Sequence, residues 1–97
     1  MDLGGCVYII TNKYNTTLYT GSSEDIARRM MEHIQKSYPM SFSARYNLSK
    51  LVYYECYTSI QEARTQEYYI KGKSRSWKFD LINSFNPVWK DLIKEVM

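Results

Sequence analysis

Arg29 and His33 stand four residues apart in a stretch where Ile26, Met30 and Ile34 recur at helical spacing, with Ala27 and Met31 beside them. On such a helix Asp25, Arg29 and His33 form a row just off the buried stripe. A guanidinium and an imidazole then lie one turn apart, where the floor of a polar cleft would be. Glu67 is a second polar residue in an unusual place, between Ala63 and Ile70 on a stripe that periodicity assigns to apolar side chains. A carboxylate held there must pair or bind a cation to stay ionised. Mg²⁺ suits it, because that ion takes one or two protein carboxylates and fills its shell with water and substrate phosphate oxygens. Each residue also has a plain structural role open to it. Arg29 could pair with Asp25, Glu67 with Lys71 four residues on, and His33 could simply pack. Tyr8 and Tyr19 could be ordinary sheet residues with a pKa near 10.

The elements that would carry these groups follow from local pattern. Gly5 to Thr11 is rich in β-branched and aromatic residues and reads as a strand, followed by the turn-like Asn12 to Thr16. Thr17 to Thr20 alternates and makes a hairpin with it. Whether Tyr8 and Tyr19 share a face depends on a register that sequence leaves open. Gly21 suggests a tight turn, with the Ser22-Ser23 hydroxyls near a helix that begins about Glu24. Ser37 to Asn47 reads as a surface loop, with Lys36 and Arg45 near its ends. Leu48 to Tyr57 is a third strand, and Ser59-Ile60-Gln61-Glu62 is a capping box that opens a second helix. The basic, glycine-containing Lys71 to Arg75 ends that helix. A third helix stacks Trp77, Leu81 and Phe85. Asn86-Pro87 ends it and is positioned to cap a last short helix with Trp89, Leu92 and Ile93 turned inward. The fold class expected is α/β, a small three-stranded antiparallel sheet flanked by helices in the order β-β-α-β-α-α.

A chain of 97 residues supports one domain, 1–97, with a modest core. Its net charge of +3 permits phosphate contacts without demanding them, and its ten tyrosines suit cores, sheet faces and base-stacking surfaces alike. Met1 to Gly5 lacks the pattern of a signal peptide and no apolar run is long enough for a bilayer, so the expected location is cytoplasmic, away from membranes. Cys6 and Cys56 lie in strand-like segments without paired metal-ligand spacing and are expected as buried, reduced thiols. Phosphate-cradling glycine loops, an activated serine, a cysteine–histidine pair and paired glycosidase carboxylates are all missing from the sequence.

Val7-Tyr8-Ile9, Tyr19-Thr20-Gly21, Arg28-Arg29 with His33, Glu67, Ile70-Lys71-Gly72 and Asn86-Pro87-Val88-Trp89-Lys90-Asp91-Leu92 occur in that order. Taken together they resemble the GIY-YIG nuclease superfamily, and most closely its small single-domain bacterial branch. The first motif has Cys6-Val7-Tyr8 in place of Gly-Ile-Tyr, and the second has threonine in place of isoleucine. Both changes are at scaffold positions and keep the tyrosines.

The resemblance implies an endonuclease that hydrolyses phosphodiester bonds with Mg²⁺ or Mn²⁺. Its active-site residues would be Tyr8, Tyr19, Arg29, His33 and a supporting Asn86, with Glu67 as metal ligand. Tyr8 would position or deprotonate the attacking water, its pKa lowered by nearby cationic charge. DNA is the expected partner, with RNA as the other candidate. Arg28, Arg45, Lys71, Lys73, Arg75 and Lys78 would meet its phosphates. Larger relatives carry a separate DNA-binding domain, so target choice here falls to this domain or to a protein partner. The two other classes compatible with the sequence are a catalytically silent nucleic-acid-binding module of the same fold and a structural or protein-interaction domain.

Overall fold

In a computed structural model that describes residues 4–97, the strand β1 (Gly5–Thr11) is buried along its whole length, so both of its faces must be covered. Met1, Asp2 and Leu3, which belong to the segment read for a signal peptide, lie outside the described residues. Strands β2 (Leu18–Ser23) and β3 (Lys50–Tyr57) flank β1, both antiparallel, in the order β2-β1-β3. Side chains alternate across the strand. Val7 and Ile9 pack with Val52 and Tyr53, Ile70 of α3 (Ile60–Lys71), Ile82 of α4 (Arg75–Phe85) and Trp89. Tyr8 and Ile10 meet Met30 of α1 (Ile26–Gln35) together with Leu48, Leu51 and Leu92. The expected β-β-α-β-α-α order is present, with two four-residue helices added, α2 (Phe42–Arg45) and α5 (Ile93–Val96). No helix among the described residues is long and apolar enough to cross a membrane.

Several local expectations give way to tertiary pairing. There is no turn at Gly21, because β1 offers a ladder partner to every residue of β2 as far as Cys6 opposite Ser23. The helix consequently starts at Ile26 and not near Glu24. Asp25 is its cap, accepting from the Arg28 amide at 3.0 Å, while the Ser23 hydroxyl accepts from the Asp25 amide at 3.0 Å. Ile34 is left largely exposed, so the buried stripe of α1 narrows to Met30. In α4 the inward residue is Ile82, and Phe85 is displaced to a partly exposed edge against Tyr53 and Tyr54.

Asn86 ends α4 but starts no helix. Its side chain donates to the carbonyls of Val52 and Lys90 at 3.2 and 2.8 Å and accepts from the Lys90 amide at 3.1 Å. These bonds clip residues 86–90 to β3 as a closed loop, with Trp89 in the left-handed region at φ 53°.

The largest departure concerns the cysteines. Cys6 and Cys56 are directly opposed on β1 and β3 and form a disulfide with a Cα–Cα distance of 3.9 Å, not a pair of reduced thiols. Their partnership depends on the register of two strands 50 residues apart, which no local spacing encodes. Closing a loop of that length stabilises a fold by about 4 kcal/mol in the chain-entropy account.

Candidate active site

Register brings the two tyrosines together. Tyr8 is opposite Gly21 and Ile10 is opposite Tyr19, so both phenols lie on the α1 face of the sheet, diagonal to each other across Gly21. A Cβ on Gly21 would lie 2.5 Å from the Tyr8 hydroxyl oxygen and 3.1 Å from Cε2 of Tyr19. The glycine is therefore needed for close approach inside a strand and not for a turn. Gly21→Ala should force the buried ring aside and destabilise the fold by about 1–3 kcal/mol, as overpacking does. Thermal unfolding should show this as a midpoint lowered by roughly 4–8 °C per kcal/mol. A variant melting with the wild type would mean that the phenol is not held there.

The Tyr8 hydroxyl is 3.0 Å from His33 Nε2, and His33 Nδ1 is 2.8 Å from the Ser43 hydroxyl. Either neutral tautomer satisfies both contacts, one ring nitrogen donating and the other accepting. Burial, reinforced by the Arg29 charge and opposed by Glu32, lowers the His33 pKa from its ordinary 6.5, so the ring is neutral at pH 7. The phenol of Tyr8 shifts upward, opposite to the expected lowering. Burial dominates, the Tyr19 phenol adds to it, and the Arg29 charge does not overcome them. Tyr8 thus keeps its proton and cannot act as a base by itself, although His33 is placed to accept that proton.

Arg29, His33 and Tyr19 line one cleft of about 390 Å³ with Glu32, Tyr38 and Phe42. Arg29 Nε is 3.1 Å from Glu32 Oε1, an ion pair without hydrogen-bond geometry. Arg28, one residue earlier, does not line this cleft; it lines a neighbouring polar one with Ser22, Ser23 and Arg64, and Arg29 borders both. Across β2, Glu67 accepts from the Ser22 hydroxyl and is met by Lys71 Nζ at 2.6 Å, while the same ammonium lies 5.6 Å from the centroid of the Tyr19 ring.

A hairpin carrying two tyrosines, followed by a helix with arginine and histidine and another with a lone glutamate, now stands as one arrangement in space. The family model of the GIY-YIG catalytic domain matches residues 4–80. The chain belongs to the GIY-YIG family. It is also 32% identical over 90 residues to a UPF0213 protein of Clostridium perfringens (strain 13 / Type A), covering 93% of this chain and 95% of that protein. No solved structure matches it. GIY-YIG domains are nuclease domains and generally use a divalent metal ion.

In this GIY-YIG domain the donor set around Glu67 consists of hard oxygens, one carboxylate and one hydroxyl. No cluster of three or more His, Cys, Asp or Glu side chains suited to a metal ion occurs among the described residues. That composition fits Mg²⁺, which needs few protein ligands, and is too sparse for a zinc site. Lys71 occupies the position that a cation on Glu67 would take.

Of the other residues singled out in sequence, Asn86 sits in the loop clip and lies beyond the matched segment. Arg45 is exposed on α2. Lys73 lies 4.4 Å from the centroid of the Tyr69 ring, and Arg75 stacks 4.9 Å from that of Phe79 while donating to the Thr16 carbonyl. Arg75 and Lys78 line a groove together with Phe42 and Leu18. Ser43 and Glu32 join the site only in the folded structure, and Ser22 does so on a strand and not at a helix start. The spacing of Ser43 from His33 carries no periodic signal, and the glycine before Ser22 points locally to a strand end and a helix cap, which the β1–β2 ladder overrides.

Proposed function

We propose that this GIY-YIG domain is a Mg²⁺-dependent endonuclease acting on DNA, with Mn²⁺ able to replace Mg²⁺. The observation that carries this reading is the hydrogen-bonded chain Tyr8–His33–Ser43, in which His33 and Ser43 line the same cleft as Arg29 and Tyr8 is buried directly behind His33. Tyr8 orients the attacking water. A proton passing from that water to the phenol oxygen is matched by the phenol proton moving to His33 Nε2, and Ser43 fixes the ring that receives it. Arg29 leaves Glu32 and offers its planar guanidinium to the phosphate as negative charge gathers there. Tyr19 lines the same cleft and helps to orient the substrate. Glu67, with Ser22 supporting its carboxylate, would hold the metal, which when bound supplies Lewis acidity to the phosphate and stabilises the leaving oxygen.

The test is incubation with single-stranded, duplex and branched DNA, and with RNA beside them, with and without Mg²⁺ or Mn²⁺. Cleavage is expected with metal and none in excess EDTA; equal cleavage in EDTA would remove the metal role. Binding should weaken steeply with added salt as phosphate contacts release counterions. An affinity independent of ionic strength would count against any nucleic-acid partner.

The Glu67–Lys71 ion pair favours a second reading, a nucleic-acid-binding module that does not turn over. In that case the same incubations would give binding without cleavage. A cytoplasmic location fits either, and there the Cys6–Cys56 pair would face a reducing thiol pool, so assays belong both with and without reductant. Target choice would rest on this surface or on a protein partner.

A further inference from the structure

Residues 37–46 leave α1 and return to the body of the protein through two points that are tied together. Lys36 and Asn47 both take left-handed backbone, at φ 53° and 59°, and Lys36 Nζ donates to Asn47 Oδ1 at 2.6 Å. Compact loops with clipped ends are frequently functional. This one anchors Ser43 against His33 and yet leaves its large side chains outside: Tyr38 is 60% exposed and Phe42 46%. Phe42 rests on Tyr46, ring centroids 4.6 Å apart, and lies over Tyr19 at 6.2 Å with the planes 28° apart. Its ring therefore extends an aromatic surface outward from the candidate active site. The same ring divides two clefts. On one side are Arg29 and His33, and on the other are Arg75 and Lys78.

A flat apolar ring between Arg29, which meets a phosphate on leaving Glu32, and the Arg75–Lys78 groove matches the repeat of a nucleic-acid strand, in which a base lies between successive phosphates. Positive charge for the backbone combined with aromatic faces for bases is how proteins hold single strands. A paired base has its faces covered by its neighbours in the stack and cannot present them to Phe42. We propose that the 37–46 loop is a single-strand clamp in which Phe42 stacks on an unpaired base adjacent to the phosphate at Arg29, while the strand continues into the Arg75–Lys78 groove. The substrate class would then be single-stranded DNA or an unpaired end or flap. This rests on the nucleic-acid reading above but not on turnover.

The experiment uses the full chain in EDTA and single-stranded oligonucleotides carrying one 2-aminopurine at successive positions, with the corresponding duplexes as controls. With wild-type protein, 2-aminopurine fluorescence should be quenched at one position, and single strands should bind more tightly than duplexes. Phe42→Ala should abolish that quenching and weaken single-strand binding about 10-fold, the scale of one lost base–aromatic stack, with duplex affinity unchanged within about twofold. Phe42→Leu, which keeps apolar packing on Tyr46, should behave like alanine, and Phe42→Trp should restore both signals.

Absence of quenching at every position, full rescue by leucine, or equal losses on single strands and duplexes would overturn the clamp and leave Phe42 as loop packing. Failure of cleavage is a separate outcome. If metal supports no cutting while the Phe42-dependent single-strand preference persists, the nuclease reading falls and the clamp stands. If duplexes and single strands are cut equally by wild type and Phe42→Ala, the clamp falls and the nuclease stands.

Discussion

Glu67→Gln is expected to fold, to bind DNA and to cut nothing at any practical Mg²⁺ concentration. Glutamine keeps the shape of the side chain and can still accept from the Ser22 hydroxyl, so α3 should remain docked on β2. What it loses is the ion pair with Lys71, which is half-exposed and spaced i,i+4, a class of interaction worth roughly a few tenths of a kcal/mol. Thermal stability should thus be nearly unchanged. DNA affinity without metal should rise by a factor of about 2 to 5, because Lys71 is released toward the phosphate and a repelling carboxylate is gone. Cleavage should disappear, since glutamine leaves the only proposed metal position without a negative ligand. Melting, metal-free affinity and cleavage on one preparation separate these effects. A folded Glu67→Gln protein that cuts at the wild-type rate would defeat the one-carboxylate mechanism.

Arg29→Ala should lower turnover by a factor on the order of 10² to 10³, the usual scale for deleting one preorganised group that stabilises transition-state charge. Its neighbour supplies the control. Arg28 has a side chain 74% exposed against 40% for Arg29, and it faces the cleft with Arg64 and not the one with His33 and Tyr19. Arg28→Ala should change cleavage by less than about tenfold, and mainly through binding, as loss of a peripheral phosphate contact does. Single-turnover rates at saturating protein distinguish the two. A larger defect at Arg28 would mean that the wrong face of α1 has been assigned to the site. Glu32 keeps a cationic neighbour in either variant, Arg28 or Arg29, which limits the effect on stability.

Periodicity and chain order, both properties of neighbouring residues, sufficed to place Arg29 and His33 on one helix row. They also placed Tyr8 and Tyr19 in a hairpin, Glu67 on the core side of its helix, and the capping serine Ser59 at the start of α3. Contacts between distant segments could not be read that way. The face shared by Tyr8 and Tyr19, and the true reason for Gly21, follow from the β1–β2 register. The Cys6–Cys56 bond follows from the register of β3 against β1. Asparagine before proline has the local propensity of a helix cap, so neighbouring residues alone predict that role for Asn86. Its hydrogen bonds to Val52 and Lys90 appear only once β3 lies beside it. Tyr8 shows the limit most clearly. The sequence places a phenol near cationic residues, but whether its pKa rises or falls depends on how much water the packed fold removes, and here burial outweighs the charge of Arg29.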